Sequence, residues 1–298
     1  MLHLRRMQVD QVDNQSASTR RAAKPPIDRA RVAELVRSTL AELGKSTAVA
    51  PVDAVLLGPE RSLATAFDAD AGRKLAAATP ARIFVGRAGS RYRTSTLLRF
   101  RADHAAAKDA VMSEVDGALL ERLGLCDVIS RAADKRVFLE RPDAGRALSE
   151  EAKKTIAEKC TRAPQLQICY GDGLSAAALN AHLEAFHLAF VRELGARSIG
   201  FGTPLFIRHS RVKVMDEIAR LTEAEACVFV CGERPGLGFA DSMSAYYIYR
   251  PATGATDADR EVISNINPRG LEPARAAAAV ADACVRILGA KKSGVTLS

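Results

Sequence analysis

The chain contains no tryptophan, and aromatic residues make up only 5% of its 298 residues. Proteins that read single-stranded nucleic acid stack bases on aromatic side chains, so this scarcity argues against that class. A net charge of +8 and a pI of about 9.3 still indicate an acidic partner of some kind. The basic residues are dispersed among acidic ones, which argues against a dedicated nucleic-acid binder, and a basic surface that faces an acidic protein partner fits the charge as well. We therefore expect no nucleic-acid partner.

Long apolar runs are also missing. No uninterrupted apolar stretch approaches the roughly 18 residues that cross a bilayer. The N-terminal stretch, with Arg5, Arg6, Arg20 and Arg21 among polar residues, lacks the apolar centre of a secretory signal. We therefore expect a cytoplasmic protein without a membrane partner.

The six cysteines include no C-x-x-C pair. Cys227 and Cys231 are four residues apart, which on a strand places both on one face, but no histidine lies near them in sequence. Zinc usually needs four converging ligands. We therefore predict buried free thiols in a reducing compartment and no metal site.

Two phosphate-binding signatures are absent as well: G-x-G-x-x-G at the start of a helix, and G-x-x-x-x-G-K-[ST]. Each places backbone N–H groups around a phosphate chain. Their absence argues against a dinucleotide or a nucleoside triphosphate as the ligand.

From Gln165 onward, short apolar runs alternate with glycine turns and helices. The predicted strands are Leu166–Tyr170, Pro204–Ile207, Ala226–Cys231, Ala245–Tyr249 and Glu261–Ile266. Helices are expected to end near Leu194 and Leu221, and a last one covers about Pro273 to Leu288. The pattern predicts an α/β fold with a Rossmann-like, doubly wound, mainly parallel sheet. The tyrosine-rich fourth strand is expected to be antiparallel, because too few residues precede it for a helical crossover.

Composition divides the chain into three predicted parts: a flexible polar arm over 1–45, a mainly helical N-terminal domain over 46–160, and the α/β domain over 161–298. The arm includes a short amphipathic helix over 28–43, which would dock either on its own chain or on another protein.

The N-terminal domain is expected to contain strands at Ala81–Val85 and Arg136–Leu139 and a helix over Gly145–Cys160. Between them, 86–94 carries three arginines, and Thr94 is expected to cap the next helix. That segment is either a solvated basic loop or a clamp for an anion or a partner.

Three polar loops follow predicted strands: Gly171–Ser175, Arg208–Lys213 and Gly232–Gly238. Because loops at the carboxyl ends of parallel strands meet at one edge, we expect the three to share a ligand cleft. Glu233 offers an acceptor there and Arg234 a donor fork.

A catalytic set could be drawn from Asp172, Ser175 and His209. The favoured interpretation is different: Asp172 is a turn residue or ligand acceptor, Ser175 caps a helix, and His209 is a surface or ligand-rim histidine without an orienting carboxylate. We predict no catalytic residue in this chain.

Several segments, in order, resemble the small (light) subunit of ethanolamine ammonia-lyase. They span about 60–298 and are 86–94, 97–100, 102–104, 141–143, 171–175, 232–238 and 263–266. The arm before residue 45 is similar to the family only in that its amphipathic helix lies where the family has a variable N-terminal extension.

The resemblance implies an adenosylcobalamin-dependent lyase that converts ethanolamine to acetaldehyde and ammonia. It also implies a hetero-oligomer, in which a large subunit carries the substrate and this subunit covers the cobalamin from the other side. The arm is hypothesised to dock on a partner or on the shell of a bacterial microcompartment.

The resemblance further implies cofactor contacts at Val212, Glu233 and Val262, the last a position where some relatives carry cysteine. Arg211, Arg234 and Asp172 are added as neighbouring candidates, Asp172 as an acceptor for amide or ribose donors. Two other hypotheses stay open: an independent α/β enzyme that uses Asp172, Ser175 or His209, and a basic scaffold or nucleic-acid module.

Overall fold

A computed structural model describes residues 68–79, 81–85 and 87–297. The described residues all belong to one compact unit. The predicted arm and its amphipathic helix lie outside the described residues.

A six-stranded mixed sheet is the centre of the described unit. A two-residue hairpin, β1 (Arg87–Ala88) and β2 (Arg91–Tyr92), precedes it. The sheet strands are β3 (Cys126–Ile129), β4 (Leu166–Gly171), β5 (Leu205–Arg208), β6 (Ala226–Gly232), β7 (Met243–Tyr249) and β8 (Glu261–Ile266). Their order is β3-β5-β4-β6-β7-β8, with β3 to β6 parallel and β7 antiparallel to both neighbours. The predicted α/β class and the antiparallel tyrosine-rich strand are confirmed.

Helices cover both faces of the sheet. The helices of the described part are α1 (Ala69–Ala77), α2 (Thr94–Met112), α3 (Gly117–Arg122), α4 (Lys135–Glu140), α5 (Glu150–Lys159), α6 (Ala176–Ala196), α7 (Val214–Thr222) and α8 (Pro273–Ala290). One core cluster joins α6 and α8 to alternate strand residues such as Ile168 and Val228. The other joins α5 and α7 to the residues between them, such as Cys169 and Phe229. Every residue of β4 and β6 is buried, as expected for central strands covered on both faces.

The prediction of a strand at Arg136–Leu139 is wrong, because these residues lie in α4. The Asp134 side chain accepts a hydrogen bond from the Val137 N–H at 2.8 Å and so starts a helix. Three consecutive apolar residues are too few to distinguish a helical from an extended period.

The strand predicted over Ala81–Val85 does not form. In this segment only Val85 makes a β-bridge, and that bridge is isolated. The Ile83 N–H donates to the Ala81 carbonyl, which is a turn-like bond. Thr94 is the first residue of α2 and not its cap.

The helix predicted over Gly145–Cys160 is shorter than expected. A 3₁₀ turn occupies Ala144–Arg146, and α5 begins after Ser149, whose side chain accepts from the Ala152 N–H. β3 lies before residue 160 and belongs to the same sheet as the later strands, so both predicted domains contribute strands to that sheet. The division at residue 160 stays a prediction.

Within the part of the chain that the structure describes, no helix combines the length and the apolar character that a bilayer span requires.

Candidate functional site

The carboxyl ends of three parallel strands bring three loops to one edge of the sheet. β5, β4 and β6 are adjacent and parallel, so the segments 171–175, 208–213 and 232–238 all leave the sheet at the same side. The end of β8 also arrives there, because Ile266 pairs with Met243 and Met243 pairs with Gly232. The predicted convergence of the three loops is confirmed.

A pocket of about 430 Å³ lies between these loops. The loops contribute Gly173, Leu174, Ser210, Arg211, Val212, Gly232, Glu233 and Arg234, and the remaining lining residues are Phe138, Cys231, Ser244, Tyr246 and Ser264. Ligand pockets generally measure about 300–1,000 Å³. A ligand much larger than this volume would therefore lie partly outside the chain.

Glu233 is a fixed acceptor on the pocket wall. Its Oε1 accepts from the Ser244 hydroxyl at 2.5 Å and from the Asn265 N–H at 2.7 Å. No hydrogen bond within the described part of the chain reaches Oε2. The carboxylate is thus oriented through one oxygen, and the other remains available to a ligand donor.

Arg211 and Arg234 also line the pocket. Arg211 is half-buried, and its Nη2 donates to the Phe138 carbonyl at 3.0 Å. Burial lowers the pKa of Arg211, and the positive charges of Arg146 and Arg234 lower it further. Arg234 itself is exposed.

The two valines differ in their surroundings. Val212 is half-buried, lines the pocket and packs on the α5–α7 core cluster. Val262 lies outside the pocket lining, on β8 opposite Tyr246, and the residue is 48% exposed. An exposed valine on an edge strand provides apolar surface next to the pocket.

Asp172 is not among the residues that line the pocket, and both of its carboxylate oxygens accept hydrogen bonds from the protein. Its Oδ2 accepts from Lys135 Nζ of α4 at 3.0 Å, and its Oδ1 accepts from the Ser210 N–H at 3.1 Å. Both side chains of the ion pair are less than one-tenth exposed. The contacts favour a positioning role for Asp172, which ties α4 and the loop after β5 to the loop after β4.

The glycines of the loops serve two purposes. A Cβ at Gly232 would lie 2.0 Å from the Ser175 carbonyl oxygen, and one at Gly173 would lie 2.4 Å from that of Gly232. Gly173 also has a φ of +55°. These two glycines let the loops pack on each other. A Cβ at Gly238 would meet nothing within 4 Å and one at Gly236 would meet only the Phe239 carbonyl oxygen at 3.8 Å, so the backbone of this loop is accessible.

Asp172, Ser175 and His209 do not form a catalytic set. Ser175 caps α6 as predicted, accepting from the Ala178 N–H, and donates to the Ala240 carbonyl at 2.6 Å. The prediction of a surface or rim position for His209 is wrong: the residue is buried, with Nδ1 3.1 Å from the Ala132 carbonyl oxygen. No hydrogen bond joins any two of the three side chains.

The cysteines are free thiols, most of them in the protein interior. All six cysteines are free, and all but Cys126 are buried. Burial, with the charges of Glu233 and Asp172, raises the pKa of Cys231 in the pocket wall to about 12. Within the described ranges, no group of three or more His, Cys, Asp or Glu side chains could hold a metal ion.

Sequence reasoning missed four lining residues: Phe138, Ser244, Tyr246 and Ser264. Phe138 was missed because its segment was predicted as a strand. Asp134, three residues before Val137, is a helix N-cap signal that the sequence does contain. Ser244, Tyr246 and Ser264 carry no local signal, because they reach the pocket only through the pairing of β7 with β6 and β8.

Comparisons with known proteins agree on one family. The family model for the ethanolamine ammonia-lyase light chain (EutC) matches residues 69–298, which include every pocket residue. A protein named ethanolamine ammonia-lyase small subunit from Clostridium acetobutylicum is 43% identical over 224 residues, which is 75% of this chain and 93% of that protein. A protein of the same name from Fusobacterium nucleatum is 45% identical over 219 residues, 74% of each chain.

Proposed function

Because the chain belongs to the ethanolamine ammonia-lyase light-chain family, we propose that it completes an adenosylcobalamin site at the interface with a large catalytic subunit. Family membership makes it a carbon–nitrogen lyase subunit. The assembled enzyme would convert ethanolamine to acetaldehyde and ammonia, and this chain is not expected to act alone.

The observation that best supports this proposal is the pocket at the ends of the parallel strands. It is smaller than a corrinoid, and its walls combine a fixed carboxylate acceptor with apolar surface from Leu174, Val212 and Tyr246. Cobalamin is a large ligand fringed with neutral amides, which need acceptors and accessible backbone. The free Oε2 of Glu233 and the open loop at Gly236 and Gly238 fit those needs.

The proposed contacts follow from this placement. Glu233 would accept from amide or ribose groups, and Val212 would contact the cofactor from the loop after β5. Val262 would meet it from the exposed edge strand, where a backbone contact survives the replacement of cysteine by valine. Asp172 would act indirectly, by holding Ser210 and the neighbouring Arg211 in place.

Adenosylcobalamin supplies a cobalt–carbon bond whose homolysis starts radical chemistry. The residues of this chain would bind and orient the cofactor and exclude water from one side of it. Within the described residues, Asp172, His209 and Ser175 share no hydrogen bond, and burial raises the pKa of the Cys231 thiol in the pocket wall. We propose that proton transfer belongs to the large subunit.

We also propose a cytoplasmic location, inside a bacterial microcompartment where the host builds one. The support is the apolar stripe of residues 28–43 in the sequence. Deletion of residues 1–45 should alter assembly or cellular distribution, and an unchanged distribution would contradict this part of the proposal.

Reconstitution tests the function. Acetaldehyde formation from ethanolamine should require adenosylcobalamin, the large subunit and this chain together. The matched control replaces this chain by a variant carrying Glu193→Gln on the outer end of α6, which should restore full activity. Activity of the large subunit alone, or of this chain alone, would contradict the proposal.

A further inference from the structure

Three arginines, Arg146, Arg211 and Arg234, lie near one another and have no anionic partner among the described residues. Arg211 and Arg234 line it, and the charges of Arg146 and Arg234 both act on Arg211. The backbone sets this proximity, because the Arg211 N–H donates at 2.7 Å to the carbonyl of Gly145, the residue before Arg146. Among the described residues, no carboxylate lies within ion-pair distance of any of the three guanidinium groups.

Arg211 is held by uncharged groups. Its guanidinium carbon lies 4.6 Å from the centre of the Phe138 ring, and Nη2 donates to the Phe138 carbonyl. Its Nε is buried and has no hydrogen-bond partner in the described part of the chain. The side chain is therefore a preorganised donor that lacks an acceptor.

Concentrating these charges is unfavourable in the free chain. Burial and the two neighbouring guanidinium groups lower the pKa of Arg211, yet an arginine stays charged in proteins and cannot escape the repulsion by losing its proton. An anion between the three groups would remove the repulsion and supply an acceptor for Nε. The planar fork of arginine suits the geometry of phosphate.

We propose that Arg146, Arg211 and Arg234 bind the phosphodiester in the nucleotide tail of cobalamin. This assignment rests on the function proposed above and names the part of the ligand that the arginines recognise. The phosphodiester is the one anionic group of cobalamin outside the corrin ring, whereas the amides of the ring match the acceptor on Glu233. An acidic side chain of the large subunit is the alternative, but it would have to reach Arg211, which is recessed against Phe138.

The test titrates the assembled two-subunit complex with three corrinoids in their aquo forms. Cobalamin has the complete tail, cobinamide phosphate keeps a phosphate without ribose and base, and cobinamide lacks the phosphate too. One variant is Arg146→Gln with Arg234→Gln, which changes two exposed side chains. The other is Arg211→Lys, which keeps the charge and removes the fork.

Each variant should bind cobalamin and cobinamide phosphate about tenfold more weakly and cobinamide within about twofold of wild type. The control removes the same net charge through Arg73→Gln with Arg192→Gln, two exposed arginines of α1 and α6. It should bind all three corrinoids as wild type does. Size-exclusion chromatography establishes that each variant assembles.

Equal losses for all three corrinoids would overturn the assignment, because the arginines would then act on the ring or on the fold. Unchanged cobalamin affinity would also overturn it, and weakened assembly in that case would indicate a carboxylate of the large subunit as the anion. A wild-type complex that binds no corrinoid would overturn the proposed function, and the phosphate assignment with it.

Discussion

At the scale of single residues, Glu233 uses one carboxylate oxygen for the protein and keeps the other for the pocket. Glu233→Gln preserves an acceptor for the Ser244 hydroxyl and the Asn265 N–H, but it places an NH₂ donor where the proposed ligand donor needs an acceptor. Cobalamin affinity of the complex should fall about tenfold, measured by spectrophotometric titration. Complex formation should be unchanged.

Glu193→Gln is the matched control, since the ion-pair partners of Glu193 among the described residues are Arg192 and Arg197, at the C-terminal end of α6. It should bind cobalamin like wild type. Glu233→Ala should bind cobalamin more weakly than Glu233→Gln does, because alanine also removes the acceptor of the Asn265 N–H. Wild-type affinity in both Glu233 variants would remove this residue from the site.

The buried pair of Asp172 and Lys135 makes a different prediction, about stability. Asp172→Asn keeps the bond from the Ser210 N–H but leaves the Lys135 charge without its partner. Breaking a buried ion pair in this way costs about 3–5 kcal/mol. The free energy of unfolding of the full chain, measured in urea, should fall by about 3 kcal/mol.

Asp143→Asn provides the comparison, because Asp143 and Arg141 form an exposed pair. Exposed pairs contribute only about 0–1 kcal/mol. If Asp172→Asn were as mild as Asp143→Asn, the buried pair would not be what ties the two loops together.

At the scale of elements, the loop after β6 is fastened by a residue 155 positions away: Arg82 Nη2 donates to the Leu237 carbonyl and pairs with Asp103 of α2 at 2.5 Å. Arg82→Gln should free this loop, so the amide hydrogens of residues 234–241 should exchange about tenfold faster, a local loss of about 1.4 kcal/mol. Hydrogen exchange with mass spectrometry measures this.

Arg73→Gln, in an exposed pair of α1, should leave the exchange of the same segment unaltered. Equal exchange in wild type and Arg82→Gln would show that other contacts hold the loop. Cobalamin affinity should fall with Arg82→Gln in proportion to the loss of loop order.

The elements differ in how far the sequence reveals them. β4 and β6 are continuous apolar runs bounded by glycine, so their existence and position follow from composition. β3 was missed because Asp127 interrupts its apolar run. The Asp127 carboxylate is accommodated there because Arg208 on the neighbouring β5, 81 residues later, donates hydrogen bonds to it. In a short segment such as α4, the N-cap hydrogen bond of Asp134 favours a helix more strongly than the β propensity of the segment favours a strand.

The site shows the same limit. The meeting of the three loops follows from the rule for parallel sheets, and Glu233 was found through it. The bond from Asn265 to Glu233, the ion pair of Lys135 with Asp172 and the grouping of Arg146 with Arg211 join segments 32 to 65 residues apart. Such contacts are products of packing and have no signature in local sequence.

At the scale of the whole molecule, the buried thiols make stability depend on alkaline pH. Burial is the main cause that raises the pKa values of Cys231 and Cys284 from 9.0 to about 12. Above pH 9 the unfolded chain ionises these thiols while the folded chain does not. Their contribution is therefore complete below about pH 9 and is lost between about pH 9 and 12, at up to about 1.4 kcal/mol per pH unit for each thiol.

Urea unfolding at several pH values from 8 to 11 measures this loss. Cys284→Ala should lower the stability at pH 8 and make the decline above pH 9 shallower than in wild type. A decline of equal steepness in the variant would mean that Cys284 does not contribute to it.

The central claim is that this chain and the large subunit each hold part of one cobalamin site. Equilibrium titration with adenosylcobalamin should be made on this chain alone, on the large subunit alone and on their complex. We predict tight binding by the complex only and an affinity at least about a hundredfold weaker for either subunit alone, a difference of about 2.7 kcal/mol. Binding by the large subunit alone with the affinity of the complex would contradict it.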